Sequence, residues 1–211
     1  MISIEEWLKD GKLHREGNLP ARIWKNGNKE WWINGELHRE NDLPAIENAD
    51  GYKAWYQHGK LHRDYFHARI WANGDKEWWK YGKLHRPTDL PAIELANGYK
   101  AWYQNGELHR YGDFPAIEDP NNGYQAWCIN GKYHRNYNLP ARVWKNGSKE
   151  WWVNGKKIEN LEKKCIICCE NNAEMVYVPC GHIFSCNSCS KKTKKCAICR
   201  TESTMIIKAY Y

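Results

Sequence analysis

Short runs in which apolar and polar residues alternate fill most of the chain before residue 160. Residues 22–25, 29–33 and 36–39 are typical runs, and Asn26-Gly27 and Asn34-Gly35 separate them. A period of two residues predicts β-strands. Asn-Gly between such runs is a strong hairpin signal, because type I′ turns require positive φ at both central residues. The pattern therefore predicts a series of short β-hairpins.

A five-residue motif recurs every 23 to 25 residues: glycine, any residue, leucine or tyrosine, histidine and arginine. It begins at Gly11, Gly35, Gly59, Gly82, Gly106 and Gly131, and a degenerate seventh copy begins at Gly155. Each of the six full copies runs through a polar loop into Pro-Ala, except the third, which has Phe66-His67-Ala68. A fixed period of this length predicts an elongated β-hairpin ribbon or solenoid in which each unit contacts only its neighbours.

Two aromatic positions recur side by side in the repeats and must point to opposite faces of a regular strand. The first position holds Trp31, Trp55, Trp78, Trp102, Trp127 and Trp151, and the second holds Trp32, Tyr56, Trp79, Tyr103, Cys128 and Trp152. We expect the first row to stack in the core, where burying each indole is worth about 4–6 kcal/mol before entropy. The second row either packs against turns and loops or forms a binding surface. Cys128 is expected to be a packed thiol.

A His-Arg pair also occurs once in each repeat. The pairs are His14-Arg15, His38-Arg39, His62-Arg63, His85-Arg86, His109-Arg110 and His134-Arg135. An anion-binding or metal-binding ladder is one interpretation. We favour a structural one, in which each Arg stacks on a neighbouring Trp or pairs with acidic groups such as Glu30 and Glu77, and each His bonds the following loop.

Eight potential metal ligands follow at close spacing near the end of the chain. They are Cys165, Cys168, Cys180, His182, Cys186, Cys189, Cys196 and Cys199. Interleaving gives the economical geometry, with Cys165, Cys168, Cys186 and Cys189 around one Zn²⁺ and Cys180, His182, Cys196 and Cys199 around a second. Both sites would be closed by four N or S ligands, as structural zinc sites are. Cys169 adjoins a ligand, and Cys168 is favoured over it.

Composition divides the chain into two parts. All 13 Trp lie at or before Trp152, whereas eight of the nine Cys lie at or after Cys165. We therefore predict a repeat domain over 1–158, a linker or short helix over 159–164 and a zinc domain over 165–211. The ligand-bearing stretch is shorter than the roughly 40 residues that a hydrophobic core alone requires, and zinc can supply the missing stability.

Thiolates that are free to bind zinc favour a reducing compartment, so we expect a cytoplasmic protein, in a host cell's cytoplasm or nucleus if it is viral. A leader pattern and an apolar run long enough to span a membrane are both missing from the sequence. The net charge of +7 is spread over both parts and by itself predicts little about nucleic acid.

The repeat region, roughly residues 11–158, resembles MORN-type and related short β-hairpin repeats. Its recurring His-Arg and Pro-Ala dipeptides resemble those of repeat proteins of large DNA viruses. The resemblance implies a β ribbon used for recognition of a protein target. Binding to anionic lipid is a weaker implication, because the dense glycine pattern of ordinary MORN units is missing.

Residues 165–211 resemble a RING finger of the three-Cys, His, four-Cys type, and in particular the RING of the inhibitor-of-apoptosis proteins. The resemblance rests on the gaps between ligands, on Cys180-Gly181-His182 and on Cys196-Ala197-Ile198-Cys199-Arg200. The whole chain is thus expected to be mostly β, a hairpin-repeat ribbon followed by a cross-braced RING domain with two zinc ions.

The RING resemblance implies a ubiquitin ligase that binds a ubiquitin-charged conjugating enzyme and orients its thioester without a covalent intermediate. Ile167 matches the position that docks the conjugating enzyme, and Arg200 matches the cation that bonds conjugating enzyme and ubiquitin together. The tail, residues 205–211, is expected to be a strand that completes a homodimer, with Tyr210 reaching ubiquitin on the other protomer.

Two residues depart from the family pattern and keep other functions open. Ala197 stands where Pro is usual, and Thr193 stands where an apolar residue is usual. Lys191, Lys192, Lys194 and Lys195 either steer an acidic partner or are solvated surface. The alternatives are a RING and repeat scaffold without ligase activity and, less favoured, a zinc-dependent nucleic-acid-binding protein.

Overall fold

The computed structural model describes residues 3–136, 139–158 and 164–209, with side chains from Glu5 onward. The described chain is nearly all β, with one short helix, which confirms the predicted fold class. Contacts group it into two units, Met1–Arg110 with Ala116–Asn121 and Tyr111–Pro115 with Asn122–Tyr211. The predicted boundaries at 158 and 165 remain predictions, and residues 159–163 of the proposed linker lie outside the described residues.

The first unit contains an antiparallel sheet whose strands follow one another in chain order, with a small hairpin inserted after every second strand. Its sheet strands are β1 (Ser3–Glu6), β4 (Arg22–Trp24), β5 (Lys29–Glu30), β8 (Ile46–Glu47), β9 (Lys53–Ala54), β12 (Arg69–Ile70), β13 (Lys76–Glu77), β16 (Ile93–Glu94), β17 (Lys100–Ala101) and β20 (Ile117–Asp119). Its small hairpins are β2 (Leu8–Lys9) with β3 (Lys12–Leu13), β6 (Trp32–Ile33) with β7 (Glu36–Leu37), β10 (Tyr56–Gln57) with β11 (Lys60–Leu61), β14 (Trp79–Lys80) with β15 (Lys83–Leu84), and β18 (Tyr103–Gln104) with β19 (Glu107–Leu108).

The second unit contains the last repeats and the ligand-bearing module. Its strands are β21 (Tyr124–Ala126), β22 (Cys128–Ile129), β23 (Lys132–Tyr133), β24 (Arg142–Val143), β25 (Lys149–Glu150), β26 (Trp152–Val153), β27 (Lys156–Lys157), β28 (Met175–Val178), β29 (His182–Ser185) and β30 (Met205–Lys208), and its helix is α1 (Asn187–Ser190). The last three strands form a sheet in the order β29-β28-β30. Buried Met175, Tyr177, Phe184 and Cys196 make its core, against which Ile206 packs.

The two Asn-Gly turns of a repeat have different geometries. At Asn34-Gly35 both residues have positive φ, 51° and 84°, as a type I′ turn requires. At Asn26-Gly27 only Gly27 has positive φ, and the Trp24 N–H bonds Asn28 O while the Gly27 N–H bonds Trp24 O, each at 2.9 Å. That turn is a type I turn followed by a left-handed glycine, so the expectation of a type I′ turn was wrong there.

Alanine and tryptophan form the seam between repeats. Ala45, which follows Pro44, is fully buried, and its carbonyl accepts the Trp31 backbone N–H at 2.8 Å. The same bond recurs from Trp55 to Ala68 and from Trp78 to Ala92. The five first-row indoles from Trp31 to Trp127 are at most 8% exposed. The prediction of a buried Trp row is therefore confirmed for these positions.

Each described arginine of the His-Arg pairs stacks on the Trp that lies eight residues before it in the chain. The guanidinium carbon lies over the ring centroid at 3.5 Å for Arg15 and Trp7, 3.6 Å for Arg39 and Trp31, 4.1 Å for Arg63 and Trp55, 3.6 Å for Arg86 and Trp78, 3.7 Å for Arg110 and Trp102, and 3.6 Å for Arg135 and Trp127. The structural interpretation of these arginines is confirmed. Their acidic partners are not Glu30 and Glu77, however, because those carboxylates bond Arg22 and Arg69.

Histidines of the pairs connect neighbouring repeats. His62 Nδ1 accepts the Tyr81 N–H at 3.3 Å, and His85 Nδ1 accepts the Asn105 N–H at 3.2 Å, so these imidazoles satisfy a turn of the next hairpin. The expected bond to the following loop is present as well, from His38 Nε2 to Glu40 at 2.9 Å and from His62 Nε2 to Asp64 at 3.4 Å. Burial lowers the pKa of both His62 and His85. The neutral imidazole that accepts these bonds is therefore the favoured form.

The second aromatic row is half-buried and partly hydrogen-bonded. Trp32 Nε1 donates to Glu30 at 2.9 Å, and Trp79 Nε1 donates to Glu77 at 2.7 Å. Cys128, the exception in this row, is 2% exposed, and burial raises its pKa to about 12. It is a packed thiol, as predicted. These contacts favour packing for the row, and its use as a binding surface stays a hypothesis.

The Arg63 junction allows a test of what holds neighbouring repeats together. Arg63 stacks on Trp55 and donates from Nε and Nη2 to the two carboxylate oxygens of Asp42 at 2.7 Å each. Arg63→Ala should destabilise the array by about 2–4 kcal/mol, because a cation–π contact and charge-assisted hydrogen bonds are lost together. Urea unfolding followed by Trp fluorescence measures this. The control is Lys53→Ala on an exposed strand position, and an equal effect of both changes would contradict the assigned role.

Candidate metal centre

Two turns of the same shape present four of the eight ligands. In the first, the Cys169 N–H bonds Cys165 O at 2.8 Å, and in the second the Arg200 N–H bonds Cys196 O at 2.7 Å. Cys169 and Arg200 both have positive φ, 57° and 61°. The backbone therefore reverses directly after the second cysteine of each pair, so that both thiols of the pair point to one side.

The predicted interleaving of the ligands is what the structure shows. Cys165, Cys168, Cys186 and Cys189 form one group, and Cys180, His182, Cys196 and Cys199 form the other, with the ligand atoms of each group within 4.8 Å of one another. In the first group the helix α1 follows Cys186 and contains Cys189. In the second group the turn after β28 supplies Cys180 and the start of β29 supplies His182, with His182 Nδ1 3.6 Å from Cys196 Sγ.

The chemistry of the donors fits zinc. Each group offers four thiolate or imidazole donors at one point, the set that Zn²⁺ prefers for tetrahedral structural sites. The four described ligands per group leave no coordination position for substrate, which agrees with a structural role. Zinc would cross-link segments that are otherwise held by one small core.

Two ligand thiols have hydroxyl neighbours that were not predicted from the sequence. Bonds from the Thr201 hydroxyl and backbone lower the pKa of Cys199 to about 6, with Thr201 Oγ1 3.2 Å from Cys199 Sγ. Ser188 Oγ lies 3.1 Å from Cys186 Sγ. Each hydroxyl stands two residues after its cysteine, a spacing that could have signalled it.

Cys169 lies outside both ligand groups of the described chain. Burial raises its pKa, with the neighbouring Cys168 and Cys165 adding to the effect. A raised pKa favours the neutral thiol, which is neither a good ligand nor a good nucleophile. These observations support Cys168 rather than Cys169 as the ligand, and the assignment stays a prediction.

Residues 161–206 match the family described as zinc finger, C3HC4 type (RING finger). This match and the two ligand groups decide the nature of the module. The C-terminal region is a zinc-binding RING finger.

The chain is also similar to several curated proteins with ubiquitin-ligase or apoptosis-inhibitor names. It is 36% identical over 55 residues to the E3 ubiquitin-protein ligase SP1 of Arabidopsis thaliana, covering 26% of this chain and 16% of that protein. It is 37% identical over 49 residues to Baculoviral IAP repeat-containing protein 7 of Xenopus tropicalis, covering 23% and 13%. A viral similarity is to ORF106 of Ostreid herpesvirus 1 (isolate France), 37% over 65 residues, covering 27% and 14%.

The similarity to these relatives is therefore confined to a small part of each. The chain spans less than a fifth of their length. The inhibitor-of-apoptosis-like RING and the viral similarity are confirmed at this level, whereas the MORN-like nature of the repeats stays a prediction.

The predicted functional residues fall on or near the two ligand turns. Ile167 is 45% exposed between the first two ligands, and Arg200 is exposed directly after the last ligand. Ala197 is also exposed, whereas Thr193 is partly buried. The predicted tail strand is present as β30, but Tyr210 lies outside the described residues. Within the described chain, every helix is too short and polar to cross a membrane.

Two adjacent cysteines give a matched test of the ligand assignment. Cys168→Ser should remove one of two zinc ions per chain, because serine is a poor zinc ligand. Cys169→Ser should keep both. Zinc content after gel filtration in reducing buffer measures this. Loss of zinc from Cys169→Ser with retention in Cys168→Ser would reverse the assignment.

Proposed function

We propose that the protein is a RING-type ubiquitin ligase that recruits a ubiquitin-charged conjugating enzyme and binds a protein target through its repeats. The observation that carries the proposal is the exposure of Ile167 and Arg200 on a RING finger with two complete ligand groups. Ile167 is 45% exposed next to the ligand Cys168, so its side chain is accessible to a partner. The relatives named as ubiquitin ligases support the same activity.

The catalytic contribution of such a module is orientation. Ile167 would pack against an apolar patch of the conjugating enzyme, and Arg200 would donate hydrogen bonds from its planar guanidinium to both conjugating enzyme and ubiquitin. Holding the thioester in one pose lowers the entropic barrier to attack by a lysine amine. Zinc, two ions per chain, would hold the two ligand turns rigid, with Cys165, Cys168, Cys186 and Cys189 around one and Cys180, His182, Cys196 and Cys199 around the other. The ligating thiolates favour action in a reducing, cytoplasmic compartment.

Two alternatives are less well supported. A scaffold without ligase activity is favoured by Ala197 and Thr193, which weaken the apolar contact expected of the family. Nucleic-acid binding is disfavoured by the repeat arginines, because the guanidinium groups of Arg39, Arg63 and Arg110 bond loop or strand carboxylates instead of facing solvent.

The ligase mechanism predicts a loss of activity without a loss of zinc. Ile167→Ala and, separately, Arg200→Ala should reduce ubiquitin-chain formation with a panel of conjugating enzymes by at least about tenfold, since each removes a contact that positions the thioester. Both variants should keep two zinc ions. Arg200→Ala adds no backbone strain, because any residue other than glycine at this positive φ carries a Cβ. Lys53→Ala, at an exposed position of the repeat region, is the control, and full activity in both test variants would refute the mechanism.

Homodimerisation through the RING is part of the proposal. β30 is an edge strand whose Met205 and Ile207 are 59% and 45% exposed, while Ile206 between them packs on the module core. An exposed apolar edge favours association with another chain.

The dimer proposal predicts that Ile207→Glu shifts the protein to a monomer in light scattering at micromolar concentration, because it places a charge in the apolar contact. Ile198→Glu makes the same change at an exposed position on the second ligand turn and should leave the dimer intact. A dimer that survives Ile207→Glu would contradict this interface.

A further inference from the structure

A single loop residue satisfies two donors of the following repeat. Asp42 accepts the Trp55 indole N–H on its carbonyl oxygen at 2.9 Å and holds the Arg63 guanidinium with its carboxylate. Asp89 does the same for Trp102 and Arg110, at 3.0 and 3.3 Å.

Two further loop residues, one in each unit, accept the same pair of hydrogen bonds. Asn18 accepts from Trp31 and Arg39 at 3.0 and 2.8 Å, and Asp113 accepts from Trp127 at 3.3 Å and from Arg135 at 2.7 and 2.8 Å. An Asp or Asn that precedes Leu-Pro or Phe-Pro is therefore a fixed part of the junction.

The third loop lacks this residue. Four residues separate Arg63 from Ala68, whereas five separate the arginine from the alanine in the other copies. His62 pairs with Asp64 as His38 pairs with Glu40, so Asp64 begins the loop in the usual way. Phe66 then takes the place of the leucine. The residue missing between Tyr65 and Phe66 is the one that would accept from the next Trp and Arg.

Three donor groups on two side chains, Arg86 and Trp78, are consequently left without a partner in the described chain. Arg86 stacks on Trp78 at 3.6 Å and donates from Nη1 to Pro91 O and Glu94, as its counterparts do. Its Nε and Nη2 groups, and the indole N–H of Trp78, lack the acceptors found at the other junctions. Trp78 is 8% exposed as a whole, but its indole N–H is not among the fully buried unpartnered groups of the described chain, so a ligand can reach it.

Both side chains line a cavity of about 220 Å³. Tyr65 forms part of its wall and is 89% exposed, and Lys80 adds a positive charge. Arg86 is paired with Glu94 through Nη1 and Arg63 is paired with Asp42, which leaves Lys80 to balance Asp64 in the wall. The cavity therefore presents an indole N–H and the Nε and Nη2 donors of a guanidinium, the groups that hold Asp42 at the preceding junction, and this donor set favours a carboxylate.

We propose that this cavity binds an aspartate residue of an extended segment of a partner protein. The carboxylate of that aspartate would accept hydrogen bonds from Arg86 Nε and Nη2, and its backbone carbonyl would accept one from the Trp78 indole N–H. The geometry would be that of Asp42 at the preceding junction. This proposal deepens the target-binding role given to the repeats and rests on it, since it names the chemistry of the segment recognised.

The test uses the full chain with ¹⁵N-labelled tryptophan and a capped peptide, Asn-Asp-Leu-Pro, which has the sequence of residues 41–44. NMR resolves the indole N–H signals, and the Trp78→Phe variant assigns the signal of Trp78. Titration should shift the Trp78 indole signal to lower field in a saturable way and leave those of Trp55 and Trp102 in place. No shift at millimolar peptide, or an equal shift with the Asn-Ala-Leu-Pro peptide or with sodium acetate, would overturn the proposal.

Two variants separate binding from general effects. Arg86→Gln should weaken peptide binding at least tenfold, whereas Arg110→Gln, at a junction already filled by Asp89, should not change it. Replacing Tyr65 by Gly-Asp gives the loop the Gly-Asp-Phe sequence of residues 112–114. That variant should unfold at higher urea and no longer bind the peptide. Unchanged stability together with retained binding would contradict the assignment of the missing residue.

Failure here is distinguishable from failure of the proposed function. If the protein forms polyubiquitin but does not bind the peptide, only the aspartate site is contradicted. A chain that binds the peptide but fails with every conjugating enzyme contradicts the ligase proposal.

Discussion

The interleaving of eight ligands around two points is the constraint on which the functional part of the molecule depends. The four ligands of each group come from two separate stretches of chain, and stretches of the two groups alternate along the sequence. A core of a few buried residues would not by itself fix the two ligand turns relative to one another. Once metal closes both groups, the residues beside the ligands have defined positions. Under the ligase proposal, the exposed Ile167 and Arg200 would then form the docking surface.

Each repeat is also too small to be stable alone, but the repeats are stabilised by contacts with their neighbours and not by metal. Most strands of the repeat region have only two residues, too few for any hairpin to be stable alone. Each unit instead relies on bonds to its neighbours: a Trp backbone N–H to the next alanine, an arginine on a Trp ring, and a loop carboxylate on the arginine. The consequence is that a change in one loop is felt at the next junction, as the short third loop shows.

Much of this was predictable from sequence, for reasons that differ between the halves. Ligand spacing directly limits which cysteines can share an ion, and the two groups that the structure brings together are the ones expected from it. Asn-Gly turns and the repeat period revealed the hairpins, although Asn26-Gly27 forms a type I turn because its flanking strands are joined by a longer loop. The buried Trp row followed from the periodicity.

Other features need coordinates, because they depend on which residues meet across repeats. Glu30 was expected to pair with the His-Arg arginines but instead bonds Trp32 and Arg22, two residues that share its face of the sheet. The sequence does contain a signal for this pairing, because Arg-Ile-Trp and Glu-Trp-Trp occur together in one copy. The two sets of hydrogen bonds that Asp42 accepts, from Trp55 and from Arg63, could not be predicted either. From sequence alone, a carboxylate in a polar loop is expected to be solvated.

Zinc content is the measurement that tests the central claim most directly. Elemental analysis of the chain, purified under reducing conditions and freed of loosely bound metal, should return two equivalents of zinc per polypeptide. One equivalent or none, in a chain whose RING module is otherwise folded, would contradict the interleaved ligand groups and the surface built on them.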